Sequence, residues 1–555
     1  MRAHMKPALE SLLDLAGVAA GERVLLVWAR EPAVEPAILD AIDEAVRARG
    51  ATVELLESPP FDPRREDAPP PLAEALSRAD VALDLADHES LVHTPAGRRE
   101  VRGRGMRLIA VALHTRDEWQ SGFARFPLDR LFARARRTAA RVGAGGPARL
   151  TAPNGTDFRF EIVPGRVMGM PGGPEPAPLG RGRGGFSLFP PGAVGTSPGS
   201  SEGTIVLDGL VGFAGALPEP ITLRVANSRV VAIEGGGREA AWLRREMAGH
   251  ENGDHVAKIV VGLHPAARID SGLAELDRRK ARLSRAEGVV LVGLGDARSV
   301  GGEVASTWHW DGVTLPPVDL DVGGRPLVRH GVLQVGIELS AWSDGRADEP
   351  HRPRLVARAG ELAILVTDAR GPMPHLHRNL ECDELWVPLE GAPLSMTVEG
   401  ADAGTLGVGE AALVPRGAVH KVDGTDAHAP MLVVERLGPS APAPPENERG
   451  GVRRLDLAPL FAAPTPHWSR PARPLLSGSS FTVEGYSRAE GMLRPEETLA
   501  APEVWIPLRG ALRVEAEGAA SEEVRRGHVA ALPAGVPLTV ISVRPDTVAL
   551  RVRLP

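Results

Sequence analysis

The chain has 555 residues, of which 43% are hydrophobic and 24% charged, and its formal net charge is −7. This length exceeds what one hydrophobic core supports, so we expect several domains. The acidic balance provides no basic surface for nucleic acid or anionic lipid, and the single cysteine, Cys382, excludes intramolecular disulfides. Because the N-terminus lacks the apolar run of a signal peptide and no apolar stretch reaches about 18 residues, we predict a cytoplasmic protein without a membrane partner.

The first 147 residues are predicted to form an α/β layer. Residues 22–57 contain two apolar runs around a segment whose apolar positions recur every three or four residues, which indicates strand, helix and strand. Two later runs, "ADVALDLA" and "MRLIAVAL", would extend a parallel sheet. The glycine-rich turn of a dinucleotide site does not follow the first strand, so we predict no dinucleotide cofactor.

From about residue 148 the pattern favours strands and turns, with helical stretches at 239–249 and 273–286. Beyond about residue 333 nearly all of the chain is predicted to form short strands, and two segments repeat there. "DELWVPLEGAPLSMTVEG" resembles "PEVWIPLRGALRVEAEG", and "GEAALVPRGAVH" resembles "GHVAALPAGVPL". We therefore predict four domains, the last two being copies of one β unit: 1–147, 148–332, 333–445 and 446–555.

The first copy contains a candidate metal site. Residues one apart on a strand point to the same face, so His375 and His377 would lie together, and Glu384 would reach them from a neighbouring strand. His420, at the end of "GEAALVPRGAVH", would complete the set. Three imidazoles and one carboxylate suit Fe, Mn, Ni, Cu or Zn and leave one or two coordination positions open. We predict one divalent metal at this site.

Both copies resemble the cupin family of small β-barrels. The second cupin motif is complete and ends at His420, and the first motif contains the two histidines, Glu384 and Gly391 in order. The gap between His377 and Glu384 is longer than in most cupins and resembles the ring-cleaving cupins of the homogentisate dioxygenase kind. In the second copy, Glu503 and Gly510 stand where Glu384 and Gly391 stand in the first. The positions of the three histidines hold Arg494, Glu496 and Leu538 instead, so we expect a metal-free, structural barrel.

The first 332 residues resemble the M29, or aminopeptidase T-like, metallopeptidases. Five segments occur in that family's order: "LTAPNGTDFRFEI", "GTIVLDG", "AKIVVGLHPAARIDSG", "GVVLVGLGD" and "HWDGVTLPPVDLDVGG". The family removes N-terminal residues from peptides with two divalent metals and is typically dimeric. The resemblance therefore implies an M29-like fold, a peptide ligand and a homodimer.

The metal site that this resemblance implies is largely replaced. His309 and Asp311 match the family's last histidine and aspartate, whereas the positions of three other ligands hold Lys258, Ser284 and Leu291. A lysine in place of a carboxylate reverses the charge next to two dications, so we expect no peptidase activity. Trp308 and Trp310 flank His309 and would serve either as aromatic anchors for a peptide or as core packing.

Two functions stay open. The first is a peptide-binding pseudopeptidase with a metal-binding cupin, which acts on or presents a precursor peptide. This combination resembles peptide-binding proteins of bacterial pathways to ribosomally made, modified peptides of the crocagin type. The second is a metal-dependent cupin oxygenase or isomerase whose N-terminal region recruits the substrate. Both share one fold class, an α/β and mixed-sheet region followed by two β-barrels.

Overall fold

A computed structural model provides the fold. It describes the whole chain except residues 1, 31–33, 60, 62–65, 87–90, 171–178, 180–184, 210–216, 218, 236, 268–283, 316, 336–337, 342–349, 352, 375, 377–378, 380–381, 437–452, 463–471, 478–480, 489–490, 500, 517–521, 535–536, 545 and 555. The chain divides into two compact units, Met1–Val335 and Gly336–Pro555. Among the helices of the described part of the chain, none has the length and apolarity needed to cross a bilayer.

The first unit contains eight α-helices and eighteen strands within the described ranges. The helices are α1 (Arg2–Ala16), α2 (Pro36–Ala48), α3 (Pro70–Arg78), α4 (Pro95–Arg98), α5 (Arg116–Gln120), α6 (Gly122–Arg125), α7 (Leu128–Gly143) and α8 (Gly237–Ala248). The strands are β1 (Arg23–Trp28), β2 (Thr52–Glu57), β3 (Val81–Asp84), β4 (Arg107–Val111), β5 (Gly146–Thr151), β6 (Asp157–Ile162), β7 (Met168–Met170), β8 (Gly185–Phe189), β9 (Ala193–Thr196), β10 (Pro198–Leu207), β11 (Ile221–Ala226), β12 (Arg229–Gly235), β13 (Val256–Gly262), β14 (Val290–Gly295), β15 (His309–Thr314), β16 (Asp319–Val322), β17 (Arg325–Arg329) and β18 (Val332–Leu333).

The predicted α/β layer is a parallel sheet with the strand order β2-β1-β3-β4-β8. Strand β1 has an almost continuous buried apolar run because helices cover both of its faces, which is typical of parallel sheets. Helix α2 packs on the sheet through apolar residues at helical spacing, among them Ile38, Ile42 and Val46. The strand–helix–strand prediction for 22–57 is therefore confirmed.

Two further sheets enclose the second core of this unit. One has eight strands in the order β12-β11-β10-β6-β5-β16-β17-β18, and the other has five in the order β15-β14-β13-β9-β7. Their inward faces are apolar at alternate residues, as in β6, where Phe158, Phe160 and Ile162 are buried. The helix predicted at 239–249 is α8, whereas the one predicted at 273–286 lies almost entirely outside the described residues.

The second unit consists of β-structure and one short helix in the residues that can be described. Its helix is α9 (Ala458–Ala462). Its strands are β19 (Glu338–Ala341), β20 (Arg354–Ala359), β21 (Leu362–Asp368), β22 (Glu384–Pro388), β23 (Leu394–Val398), β24 (Ala401–Leu406), β25 (Glu410–Val414), β26 (His420–Asp423), β27 (Pro430–Arg436), β28 (Arg453–Asp456), β29 (Ala472–Ser477), β30 (Thr482–Arg488), β31 (Gly491–Thr498), β32 (Glu503–Arg509), β33 (Ala511–Ala516), β34 (Glu522–Arg525), β35 (His528–Leu532), β36 (Pro537–Ser542) and β37 (Thr547–Arg553).

These strands form two barrels, each built from a six-stranded sheet and a smaller one. The first barrel combines β20-β21-β27-β22-β25-β28 with β24-β23-β26, and the second combines β19-β35-β32-β37-β30-β29 with β31-β36-β33-β34. Each barrel has its own apolar interior, and a third apolar cluster joins the two large sheets face to face. The predicted fold class, an α/β region followed by two cupin-type barrels, is confirmed.

The two barrels exchange strands. β19 precedes the first barrel in sequence but pairs with β35 of the second barrel, with Glu338 opposite Ala531. β28 follows the predicted boundary at residue 445 but pairs with β25 of the first barrel, with Glu410 opposite Asp456. Neither barrel sheet is therefore made only from its own predicted segment, 333–445 or 446–555.

Candidate functional site

In the first unit, the Lys258 side chain lies beside His309 and Asp311, the two residues that match M29 ligands in the sequence. Lys258 on β13 and Asp311 on β15 are both paired with Gly293, on the strand between them. The Lys258 ammonium lies 3.1 Å from Asp311 Oδ1 and 2.9 Å from His309 Nε2. These are ion-pair and hydrogen-bond distances, so the ammonium holds the histidine and the carboxylate together.

Gly293 makes this arrangement sterically possible. A Cβ built at Gly293 would lie 2.5 Å from Lys258 Cγ and 2.9 Å from Asp311 Oδ1, so the lysine stem occupies the space that a side chain would take. All three polar side chains are partly buried, with 13–18% of each exposed. The sequence predicted a reversal of charge at Lys258, and the structure places that charge against both retained ligands.

The other residues of this predicted site lie apart or in the core. Leu291 is buried on β14, and Ser284 lies outside the strands, next to the range 268–283 that the structure does not describe. Trp308 and Trp310 are 7% and 1% exposed and stack nearly parallel with ring centroids 6.3 Å apart. Their burial within the second core favours core packing over direct contact with a peptide.

In the first barrel, Glu384 and His420 are in direct contact. His420 Nε2 lies 2.9 Å from Glu384 Oε2, and both side chains are buried. His420 Nδ1 donates to the carbonyl of Ala418 at 2.9 Å, so the lone pair of a neutral ring lies on Nε2. An imidazole fixed by a backbone carbonyl with its other nitrogen directed at a carboxylate is the usual arrangement of a metal-ligating histidine. These two residues therefore fit a metal ion.

The remaining two predicted ligands, His375 and His377, lie outside the described residues. Within the residues that are described, no three His, Cys, Asp or Glu side chains lie close enough together to hold a metal. The four-ligand set stays a prediction, and its described half has compatible geometry. Trp386 packs edge-on against His420, with ring centroids 4.9 Å apart, and restricts water on that side of the ring.

Asn379 belongs to the first cupin motif and contacts the turn of the second motif. Its carbonyl accepts from Gly417 N at 2.7 Å, and its side-chain amide contacts Glu384 Oε1 at 3.5 Å. Asp383 accepts from Arg416 N at 2.9 Å, which ties the first motif to the same turn. These contacts orient Glu384 toward His420. Neither residue was predicted as part of the site, although both lie within the first cupin motif, residues 375–391.

The chain's one cysteine lies in the same motif and is 3% exposed. Burial raises the pKa of Cys382 to about 12, and the negative charge of Glu435 acts in the same direction. Its thiol is therefore protonated near neutral pH, so Cys382 behaves as a small buried packing residue rather than a nucleophile.

In the second barrel an arginine pairs with the glutamate that is equivalent to Glu384. Glu503, equivalent to Glu384, is 1% exposed and accepts from Arg551 Nε at 2.6 Å. Arg551 also pairs with Glu484 at 3.0 Å, and Trp505 donates to Glu503 at 3.0 Å. Burial lowers the pKa of Arg551, but Glu503 and Tyr486 outweigh it and hold that pKa above its ordinary value. The guanidinium therefore stays charged beside its carboxylates.

The predicted replacements at the other ligand positions agree with this picture. Leu538 is 1% exposed in the interior of the second barrel, and Arg494 and Glu496 belong to β31. Arg551 itself was not predicted. The equivalent position in the first barrel is Val433, since Val433 is opposite Trp386 and Arg551 is opposite Trp505. This correspondence depends on strand register, and the repeated segments contain neither residue, so the repeat did not indicate the ion pair.

Tyr486 offers a direct test of this interior. It is the only tyrosine of the chain, and burial raises its pKa to about 12 from 10.0. We expect the tyrosinate absorbance of the folded protein to appear near pH 12 and that of the unfolded chain near pH 10. Because the folded-state pKa is the higher one, this group's contribution to stability is complete below pH 10 and is lost as the pH rises toward 12. A folded-state transition at pH 10 would contradict the buried placement.

The fold and these sites define a two-part protein, in which an α/β unit with a charge-replaced metal site precedes a double cupin. The chain belongs to the 2,5-dihydroxypyridine 5,6-dioxygenase (NicX) family, which matches residues 4–335. This match ends where the first unit ends, so it concerns that unit and not the barrels. The sequence had indicated M29 peptidases for the same range, and the family match specifies a dioxygenase family there.

Several solved structures are similar to parts of the chain. A 2,5-dihydroxypyridine dioxygenase from Pseudomonas putida is 23% identical, over 60% of this chain and 97% of its own, with a TM-score of 0.44. AmpT from Thermus thermophilus is 16% identical, over 60% and 99%, with a TM-score of 0.44. A salicylate 1,2-dioxygenase from Pseudoaminobacter salicylatoxidans is 13% identical, over 39% and 81%, with a TM-score of 0.31. No curated protein sequence matches the chain.

Proposed function

We propose that the protein is a metal-dependent cupin oxygenase whose centre lies in the first barrel and whose first unit is a pseudoenzyme. The observation that carries this proposal is the contact between His420 Nε2 and Glu384 Oε2 at 2.9 Å, whereas in the first unit His309 and Asp311 contact the Lys258 ammonium. A bound divalent metal with open positions would supply Lewis acidity or, as iron, reactivity toward dioxygen. Isomerase chemistry at the same centre is the alternative outcome.

The chain's own residues would prepare this centre. Glu384 and His420 would hold the metal with His375 and His377, Asn379 would orient the carboxylate, and Trp386 would exclude water from one side. A buried carboxylate oxygen 2.9 Å from an imidazole nitrogen needs a cation or a proton between the two atoms, because each atom carries a lone pair. This donor set therefore favours metal uptake.

The family name points to ring-cleaving chemistry in the first unit, but the residues there do not fit an iron site. Two histidines and one carboxylate are the usual protein ligands of non-haem iron oxygenases. Here His309 supplies one histidine and Asp311 one carboxylate, and the third neighbouring side chain is the cationic Lys258. An ammonium cannot donate electrons to a metal and repels it, so we assign no metal step to this unit.

Metal analysis of the purified full-length protein tests the proposal. We expect about one divalent metal per chain, lost in Glu384→Gln because the amide removes the negative charge, and retained in Asp311→Asn. Glu503→Gln, the same change at the equivalent position of the second barrel, is the matched control and should retain the metal. A metal-free wild type, or metal loss only in Asp311→Asn, would overturn the assignment. Oxygen uptake with dihydroxylated aromatic acids would then separate oxygenase from isomerase.

A second proposal is that the first unit binds a peptide, as the M29 resemblance implies. Its support is that Lys258 and Asp311 are partly exposed, so they remain reachable and would pair with a peptide's carboxylate and amine. Candidate ligands are precursor peptides of modified-peptide pathways, bound by a homodimer. In calorimetric titration of the full chain, Asp311→Asn should weaken peptide binding by about tenfold. If no such peptide binds the wild type, this proposal fails while the cupin proposal stands.

A further inference from the structure

A small cavity lies at the seam between the two barrels, separate from the candidate metal centre. Its volume is about 180 Å³, and its lining includes Val387 and Leu389 from the end of β22. These two side chains belong to the apolar cluster between the two large barrel sheets, which we call the seam cluster. Glu384, on the same strand, lies beside His420 instead. Alternate residues of a strand point to opposite faces, so the cavity and the metal centre lie on opposite faces of β22.

The two barrels contribute different chemistry to this cavity. The first barrel provides apolar wall, including Val408, which is 55% exposed. The second barrel provides two guanidinium groups, from Arg509 and Arg526. The repeat shows how this asymmetry arose, because the residue before the motif glycine is Val408 in one copy and Arg526 in the other. One cavity therefore combines an apolar wall with a cationic rim.

The two arginines differ in how firmly they are held. Arg509 donates to the carbonyl of Asp546 at 2.9 Å and lies 3.2 Å from the carboxylate of the same residue, and its guanidinium lies over the ring of Phe461, 5.3 Å from the centroid. Arg526 has only long contacts among the described residues, 3.5 Å to the carbonyl of Leu389 and 3.7 Å to Glu390 Oε1. A guanidinium carries five N–H donors, so Arg526 retains most of its capacity to bind an oxyanion.

The size of the cavity limits the ligand. An engineered protein cavity of about 150 Å³ binds benzene. A space of about 180 Å³ therefore accommodates one six-membered ring or a short branched chain, with room for a polar substituent at the open side. Apolar walls with one or two placed charged groups are the normal composition of small-molecule sites, which often lie between domains.

We infer that this seam cavity is a binding site for a small organic monocarboxylate with an apolar body. The body packs against Val387, Leu389 and Val408, and the carboxylate pairs with Arg526, with Arg509 adding positive charge. A bidentate carboxylate–guanidinium pair is the strong interaction of the site, because its hydrogen bonds are charge-assisted. The site is independent of the proposed metal centre.

Calorimetric titration of the full-length protein with benzoate tests this inference. We expect millimolar binding by the wild type and about tenfold weaker binding by Arg526→Gln, which keeps the length and polarity but not the charge. Benzamide, which has the same ring without the charge, should bind about tenfold more weakly than benzoate. Arg525→Gln is the matched control, since Arg525 is the adjacent exposed residue and does not line the cavity.

Two further variants separate binding in the seam cavity from binding at the metal centre or at the protein surface. Val408→Trp should fill the cavity and abolish benzoate binding, while the exposed position of Val408 keeps the fold unaffected. Glu384→Gln should leave benzoate binding unchanged, because the metal centre is not involved. The inference is overturned if the wild type shows no binding up to about 20 mM benzoate. It is also overturned if Arg526→Gln binds like the wild type, or if binding disappears with Glu384→Gln.

Discussion

Replacing Arg551 with methionine is expected to destabilise the second barrel by about 3–5 kcal/mol. The substitution leaves Glu503, which is 1% exposed, without its guanidinium, and it removes the nearer of two arginine partners of Glu484. An unpaired carboxylate in an apolar interior has lost its hydration and has no ion pair to compensate for that loss. Hydrogen exchange of β32 and β37, together with the denaturant midpoint of the second unit, would measure the loss.

Two matched variants serve as controls for this experiment. The double variant Arg551→Met/Glu503→Met replaces both partners with apolar groups of similar volume and should recover most of the stability, because the deeply buried Glu503 charge is gone and Glu484 keeps Arg553 at 3.7 Å. Arg513→Met removes an arginine from an exposed pair with Glu515 and should cost at most about 1 kcal/mol. If Arg551→Met loses no more stability than Arg513→Met, the Arg551 guanidinium does not neutralise the buried Glu503 carboxylate as we expect.

A chain ending at residue 445 is expected to contain a folded first unit and an unfolded first barrel. Strand β28 would be missing from the first barrel's sheet, and the seam face of that sheet would lose its partner. Each large apolar side chain exposed there forfeits about 1.5–3 kcal/mol, and the seam cluster contains many of them, among them Val356, Ile364 and Leu432. The sum exceeds the usual stability of a domain.

Dye binding and hydrogen exchange would detect this outcome. The barrel strands of the shortened chain should exchange freely, while β1 and β13 remain protected. A second chain ending at residue 462 restores β28 but not the opposing sheet, so it separates the edge strand from the seam. Native protection of β22 in the chain ending at 445 would show that the first barrel folds alone, contrary to this expectation.

Local sequence signals predicted most of the architecture. The pattern that predicts β1, α2 and β2 lies within one short segment, residues 22–57. Each cupin motif likewise lies within one or two strands and the turn beside them. Strand β8 was not predicted to join the parallel sheet, because it comes from 185–189, beyond an intervening hairpin. Likewise nothing in the spacing of β19 or β28 predicts that each pairs with the other barrel. Such pairings depend on distant partners, which periodicity does not specify.

The sites show the same division. The proximity of Glu384 and His420 was predicted from the cupin motifs, and the structure brings the two side chains to 2.9 Å, whereas the metal itself stays a prediction. The loss of ligands at Lys258 could be predicted too, but not its new partners. Lys258 contacts Asp311 because the strand register places Gly293 between them and because glycine has no side chain to block the contact. Arg551 was missed for a related reason, because an ion pair imposes no sequence spacing.

The lysine on β13 also makes Asp311 and His309 part of the structural framework of the first unit. Replacing either residue would take one of two polar partners away from the partly buried Lys258 ammonium. A histidine and an aspartate can therefore be required at such a place for stability alone. Their presence is no sign of catalysis unless the residue opposite them is also known.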